Sequence, residues 1–124
     1  MFLKNIFFKL ILSFKYAFKG IFFTIKTQQN ARIHIFITLI VLFLGIVLKI
    51  SNQEWCIILI CIGLVFSLEM INTAIEQIID LVSPNYNKLA GYAKDVAAGA
   101  VLVVAIISVI VGIIIFLPKI ILLL

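Results

Sequence analysis

Three long apolar segments constrain the fold of this chain more than any other feature of its sequence. They begin near residues 33, 55 and 96, and short polar stretches separate them. With 65% hydrophobic and 12% charged residues among 124, the chain has more apolar surface than one small soluble domain can bury. The sequence therefore predicts a membrane protein.

The lengths of these segments predict how the membrane is crossed. A transmembrane helix needs about 20 residues, so the chain has room for three of them and one surface segment. We predict an all-α membrane protein with a single domain over residues 1–124. Its transmembrane helices are expected at residues 31–49, 55–82 and 94–117, and Pro118 is expected to end the last one.

The N-terminal segment, residues 1–29, has a different pattern. Phenylalanines and lysines alternate through it, and it has neither an uninterrupted apolar core nor a small-residue cleavage site, so we expect it to stay in the mature protein. On a helix, four of its five lysines share an arc of about 60°. This pattern predicts an amphipathic helix in the membrane interface.

The basic residues predict how the chain is oriented. Six of the ten precede residue 33, and Lys88 and Lys94 belong to the second connection, whereas only Lys49 and Lys119 lie on the other side. Basic residues favour the cytoplasmic side, which places the N-terminus and the 83–94 loop there and the C-terminus outside. The net charge of +5 suits an anionic membrane face or phosphate-bearing ligands, and no nucleic-acid partner is expected.

Three acids and an amide form a stripe on the second predicted helix. Glu69, Asn72, Glu76 and Asp80 are separated by three, four and four residues, so they share an arc of about 80°. Carboxylates inside a membrane are costly and repel one another, so they require a cation or a proton. The stripe therefore predicts a cation site, although Asp80 fits a solvated helix end equally well.

Lys94 and Asp95 are expected to open the third transmembrane helix, with Asp95 or a neighbour as its cap. A lysine and a helix N-terminus that face acidic residues suit a metal-bound polyphosphate, because carboxylates bind Mg²⁺ while lysine and amides bind phosphate. The small residues that follow, Val96 to Ala100, allow close helix packing. From the residues alone, the prediction ends at a membrane-embedded divalent-cation site that handles phosphate.

Two motifs add a family resemblance. Glu69-x-x-Asn72-x-Ala74-x-Glu76, followed by Asp80, and the segment Ala93 to Val101 with its Lys-Asp pair resemble the bacterial integral-membrane diacylglycerol kinase and undecaprenol kinase family. The likeness extends to Tyr16–Gly20 and Asn30–His34. It implies a homotrimer in the bacterial inner membrane, with active sites between subunits at the cytoplasmic face. It also implies transfer of the γ-phosphate of ATP to a lipid alcohol, with Mg²⁺ as cofactor.

The resemblance also implies residue roles. Glu69 would be the general base, Glu76 would bind Mg²⁺, and Asn72 would hydrogen-bond in the same site. Arg32 and Ala98 would lie near the lipid. Residues expected at the nucleotide are Tyr16, Lys19, Asp80, Asn85, Tyr86, Asn87, Lys94 and Asp95.

One position departs from the family pattern. Where family members have a second metal-binding glutamate, before the first transmembrane helix, this chain has Gln28. An amide oxygen still coordinates Mg²⁺, but it lacks the negative charge and should bind more weakly. The number of metal ions therefore stays open, as does any nucleotide role for Lys9.

The motif variants, including Ala98 where diacylglycerol kinases more typically have serine, look closer to the undecaprenol kinase branch. The alternative is a diacylglycerol kinase, whose acceptor lipid is diacylglycerol.

Two other functional classes stay open from the residues. A small cation channel or transporter subunit would use the acidic stripe as a pore lining, and a non-catalytic membrane adaptor would recruit partners through the surface helix.

Overall fold

The computed structural model describes residues 1–124 and is all helical. Its four helices are α1 (Phe2–Thr27), α2 (Gln29–Val47), α3 (Asn52–Val82) and α4 (Lys88–Leu123). The last three are long and apolar enough to cross a membrane. The predicted all-α fold, with three helices long and apolar enough to cross a membrane, is thereby confirmed.

A single residue, Gln28, separates α1 from α2. Its extended backbone (φ −107°, ψ 117°) breaks the helical path. One turn into α2, Arg32 donates from Nη1 to the carbonyl oxygens of Ile25 (2.9 Å) and Lys26 (2.8 Å). These carbonyls lack partners within α1, because they lie in its last turn. Arg32 therefore stabilises the α1–α2 junction.

The start of α3 is defined by a capping box. Ser51 Oγ accepts from the backbone N–H of Glu54 (3.2 Å), and Glu54 Oε2 accepts from the N–H of Ser51 (2.8 Å). The helix consequently begins at Asn52, ahead of the expected Trp55. Lys119 also donates to Glu54 Oε1 at 2.9 Å. This contact links the end of α4 to the start of α3.

The bounds of α4 correct two predictions. The helix begins at Lys88, because the side-chain oxygen of Asn87 caps it by accepting from the N–H groups of Leu89 and Ala90. Asp95 is therefore not a cap, and Lys94 does not open the helix. Pro118 also does not end α4, which continues to Leu123. The apolar residues beyond it favour helix in a membrane, where freed backbone groups find no water.

Packing is concentrated between α3 and α4, which form the most extensive helix pair. Only 13 of 124 residues are buried, and one apolar cluster, Ile50, Ile58, Ile115 and Phe116, lies beside the α2–α3 turn. Most of the large apolar side chains are exposed on the chain's surface. That surface suits lipid or other membrane helices rather than water.

Candidate active site

The acidic stripe of α3 turns toward the other helices over most of its length. Glu69 is 1% exposed and Asn72 is 7% exposed, while Glu76 is half-buried. Asn72 donates from Nδ2 to Glu76 Oε1 at 3.2 Å, as their spacing of four residues allows. Three of the four residues of the predicted stripe thus face the other helices, whereas Asp80 is exposed.

Gln28 joins this cluster from the α1–α2 junction. Its Nε2 donates to Glu76 Oε2 at 3.3 Å, although 48 residues separate the two in the sequence. The extended backbone of Gln28 makes this approach possible, because it turns the chain between two helices. The position that was a doubtful metal ligand by sequence therefore lies directly beside Glu76.

The oxygen atoms of this cluster fit Mg²⁺. Asn72 Oδ1 is buried and has no hydrogen-bond partner, and the amide of Gln28 can present its oxygen instead of its nitrogen by rotation. No group of three or more His, Cys, Asp and Glu side chains is placed to hold a metal ion alone. Mg²⁺ is typically bound by one or two carboxylates together with water and substrate phosphates. The donors suit an ion that arrives with a nucleotide.

Glu69 lies deeper in the membrane span than Glu76. At 1.5 Å per residue it is about 21 Å along α3 from Trp55 and about 10 Å from Glu76. No side chain donates a hydrogen bond to its carboxylate, and the nearest basic atom is His34 Nε2, which is 3.8 Å from Glu69 Oε2. Glu69, His34 and Ala98 line a cavity of about 240 Å³. The buried carboxylate is therefore accessible from a space large enough for a small polar group.

Asp80 and Lys94 lie at the end of the stripe near the α3–α4 loop. Lys94 Nζ is 2.5 Å from Asp80 Oδ1, and the side chains are 40% and 61% exposed. The expectation that Lys94 faces the stripe is confirmed, although Lys94 projects from the second turn of α4 instead of its first. A solvated ion pair of this kind contributes little to stability and exchanges readily.

The remaining predicted nucleotide residues do not gather with the cluster in one chain. Tyr16 and Lys19 are exposed on α1 and form no hydrogen bond or ion pair, and Asp95 is exposed on α4. Asn85 and Tyr86 lie in the α3–α4 loop, where Tyr86 is 94% exposed. Of the two residues expected near the lipid, Ala98 lines the cavity of Glu69, whereas the Arg32 guanidinium binds carbonyl groups of α1.

Sequence reasoning missed the contact between His34 and Glu69. From the sequence, a lone histidine at this end of the first predicted span indicates only an interface or helix-pairing residue. The distance of each residue from the α2–α3 turn could have indicated the contact. His34 lies 13 residues before the end of α2, and Glu69 lies 17 residues after the start of α3. Two antiparallel helices joined by a short turn bring such positions to similar depths.

The sequence of the whole chain also matches known proteins. Residues 15–116 match the family described as prokaryotic diacylglycerol kinase. The chain belongs to this family. Its relatives include an undecaprenol kinase of Bacillus subtilis, which is 48% identical over 93% of this chain and 91% of that protein.

Two relatives in the prokaryotic diacylglycerol kinase family are named diacylglycerol kinase. The one from Synechocystis is 42% identical over 88% of this chain, which covers 63% of that longer protein. The one from Haemophilus influenzae is 29% identical over 76% of this chain and 80% of that protein. Membership confirms the family resemblance and the predicted lipid kinase class. The individual residue roles, ATP, Mg²⁺ and the homotrimer stay predictions.

Proposed function

We propose that this lipid kinase transfers the γ-phosphate of ATP to the hydroxyl group of undecaprenol, with Mg²⁺ as cofactor. The observation that carries the proposal is the position of Glu69, a buried carboxylate on a cavity, one to two helical turns from the oxygen cluster of Glu76 and Asn72. At this separation, the base suits the acceptor hydroxyl group and the cation site suits the phosphates of the donor, which are the two reactants of a phosphoryl transfer.

In this reaction the carboxylate of Glu69 accepts the proton of the lipid hydroxyl. The lipid oxygen forms a bond to the γ-phosphorus, the bond from that phosphorus to the β–γ bridging oxygen breaks, and ADP leaves. Glu69 suits the role because its carboxylate is buried and lines the cavity that would admit the hydroxyl group. Its depth lets the alcohol react without leaving the bilayer.

The residues around Glu76 would bind the nucleotide. Glu76, Asn72 and Gln28 would hold Mg²⁺, which neutralises phosphate charge when it is bound. Lys94 would exchange Asp80 for a phosphate oxygen. The other expected nucleotide residues are Tyr16, Lys19, Asp80, Asn85, Tyr86, Asn87 and Asp95, and their exposure supports a site that a second subunit completes.

The surface of the chain supports a homotrimer with α1 in the membrane interface. Most large apolar side chains are exposed, which leaves apolar surface for contacts with other subunits as well as with lipid. The excess of basic residues on one side supports an inner-membrane orientation with the N-terminus in the cytoplasm and the C-terminus outside. ATP would then reach the α3–α4 loop from the cytoplasm.

Two observations favour undecaprenol over diacylglycerol. The undecaprenol kinase of Bacillus subtilis is 48% identical to this chain, against 42% and 29% for the two diacylglycerol kinases. In addition, an apolar cavity of about 650 Å³ between α2, α3 and α4 shares His34 and Ala105 with the cavity of Glu69. This continuity suits a long hydrocarbon chain that ends in a single hydroxyl group. Arg32 and Ala98 would lie near that lipid.

A mixed-micelle assay with Mg-ATP tests the proposal. Undecaprenol and diacylglycerol are offered separately to the wild type, to Glu69→Gln and to the control Glu54→Gln, which preserves the capping box of α3. We expect faster phosphorylation of undecaprenol, near-complete loss in Glu69→Gln and wild-type activity in Glu54→Gln. Faster phosphorylation of diacylglycerol would overturn the acceptor assignment. An active Glu69→Gln would overturn the base assignment.

A further inference from the structure

The carboxylate of Glu69 needs a partner that α3 does not supply. It is buried, and the only basic side chain within 4 Å is His34, at 3.8 Å from Nε2 to Oε2. The other candidates are engaged elsewhere, since Lys94 pairs with Asp80 and Arg32 binds the carbonyl groups of α1. Burial of a carboxylate that accepts no hydrogen bond costs free energy. His34 is the side chain in this site that can donate one.

His34 is well placed to contact that carboxylate. It lies in the second turn of α2, its side chain is 22% exposed, and it lines both the cavity of Glu69 and the larger apolar cavity. A separation of 3.8 Å is too long for a direct hydrogen bond. Hydrogen bonds in active sites are often longer without substrate and shorten when the site is loaded.

We propose that His34 is a positioning residue for Glu69: its Nε2–H donates to Glu69 Oε2, so that Glu69 Oε1 faces the acceptor hydroxyl. This inference rests on the proposed role of Glu69 as the base. The terminal torsion of a glutamate has a broad energy minimum, so the carboxylate needs an external contact to hold one orientation. His34 acts on the reaction through Glu69 and does not itself contact the reacting hydroxyl group.

The proposal predicts which kinetic constant changes. Loss of the donor leaves the substrates bound but misorients the base, and a misplacement of about 1 Å costs roughly 100-fold in rate. For His34→Leu we expect kcat to fall about 10- to 100-fold, while KM for lipid and for Mg-ATP stays within about twofold. His34→Gln retains an N–H donor near the position of Nε2, and it should restore kcat to within about fivefold of wild type.

The experiment compares kcat and both KM values for wild type, His34→Leu, His34→Gln and Glu69→Gln, with melting temperatures as a check on folding. The result that supports the proposal is a loss of kcat in His34→Leu that His34→Gln restores. Wild-type kcat in His34→Leu overturns it, and so does equal loss in both His34 variants when both are folded. A rise in lipid KM alone also overturns it, because His34 would then bind the lipid.

The Glu69→Gln arm separates this inference from the proposed function. If Glu69→Gln is inactive and His34→Leu is unimpaired, only the inference about His34 fails. If Glu69→Gln retains wild-type kcat, Glu69 is not the base, and the proposed role of Glu69 fails together with the inference.

Discussion

Gln28 and Glu76 meet across 48 residues of sequence, with Gln28 Nε2 donating to Glu76 Oε2 at 3.3 Å. The contact joins the α1–α2 junction to the acidic stripe of α3. This contact places the amide of Gln28 beside Glu76, where a carboxylate at residue 28 would bind a cation together with Glu76. The junction and the stripe therefore form one site, and the charge at residue 28 should determine how tightly that site would bind the proposed Mg²⁺.

Substitution Gln28→Glu should lower the Mg²⁺ concentration for half-maximal activity by about tenfold, because a second carboxylate adds negative charge to the ligand set. Mg²⁺ titration of lipid kinase activity measures the change. Gln29→Glu is the matched control, since it adds the same charge at the exposed first residue of α2. An unchanged Mg²⁺ requirement in Gln28→Glu would show that this side chain is not a ligand.

Substitution Lys94→Met should reduce kcat/KM for ATP by at least about tenfold, because it removes a charge-assisted contact to phosphate. Unfolding free energy should change by less than about 1 kcal/mol, since the pair with Asp80 is largely exposed. Lys88→Met, at the exposed start of α4, is the control and should retain activity. Wild-type kcat/KM for ATP in Lys94→Met would rule out the phosphate contact.

Substitution Gly45→Ala should destabilise the protein by about 1–3 kcal/mol through overpacking. A Cβ atom at residue 45 would lie 2.6 Å from Trp55 Cη2 and 2.8 Å from Trp55 Cζ2. Trp55→Phe removes both atoms and should recover part of the loss in the double variant. Thermal unfolding in micelles measures the effect, with Gly20→Ala as control because nothing lies within 4 Å of its Cβ. Equal melting temperatures for Gly45→Ala and Gly20→Ala would contradict the packing argument.

Substitution Glu54→Ala should destabilise the protein more than Lys119→Met does. Glu54 accepts from both the Ser51 N–H and Lys119 Nζ, whereas Lys119 makes only the ion pair. We expect a larger fall in melting temperature for Glu54→Ala, which loses both the capping box and the ion pair, than for Lys119→Met, which loses only the ion pair. A double-mutant cycle isolates the ion pair, and equal effects of the two single variants would show that the capping box contributes nothing.

The proposed orientation of the chain predicts opposite labelling of its α2–α3 and α3–α4 connections. In a background without Cys56 and Cys61, Asn52→Cys should react with an impermeant maleimide in intact spheroplasts. Tyr86→Cys, on the exposed α3–α4 loop, should react only after the membrane is permeabilised. The reverse pattern would invert the proposed topology.

Sequence alone determined the features that depend on local patterns. Hydropathy over about 20 residues is sufficient for a membrane span, and spacings of three and four residues are sufficient to put Glu69, Asn72 and Glu76 on one helix face. Both rules apply within one segment of chain. The three spans and the acidic cluster could therefore be predicted without coordinates.

Tertiary structure decided the contacts between helices and the positions where helices begin and end. Gln28 reaches Glu76, and His34 reaches Glu69, only because short connections set the axial register and rotation of α1, α2 and α3. Helix ends depend on side-chain partners as well, as when Asn87 rather than Asp95 caps α4. Such contacts join residues far apart in sequence, and no periodicity within a single helix specifies them.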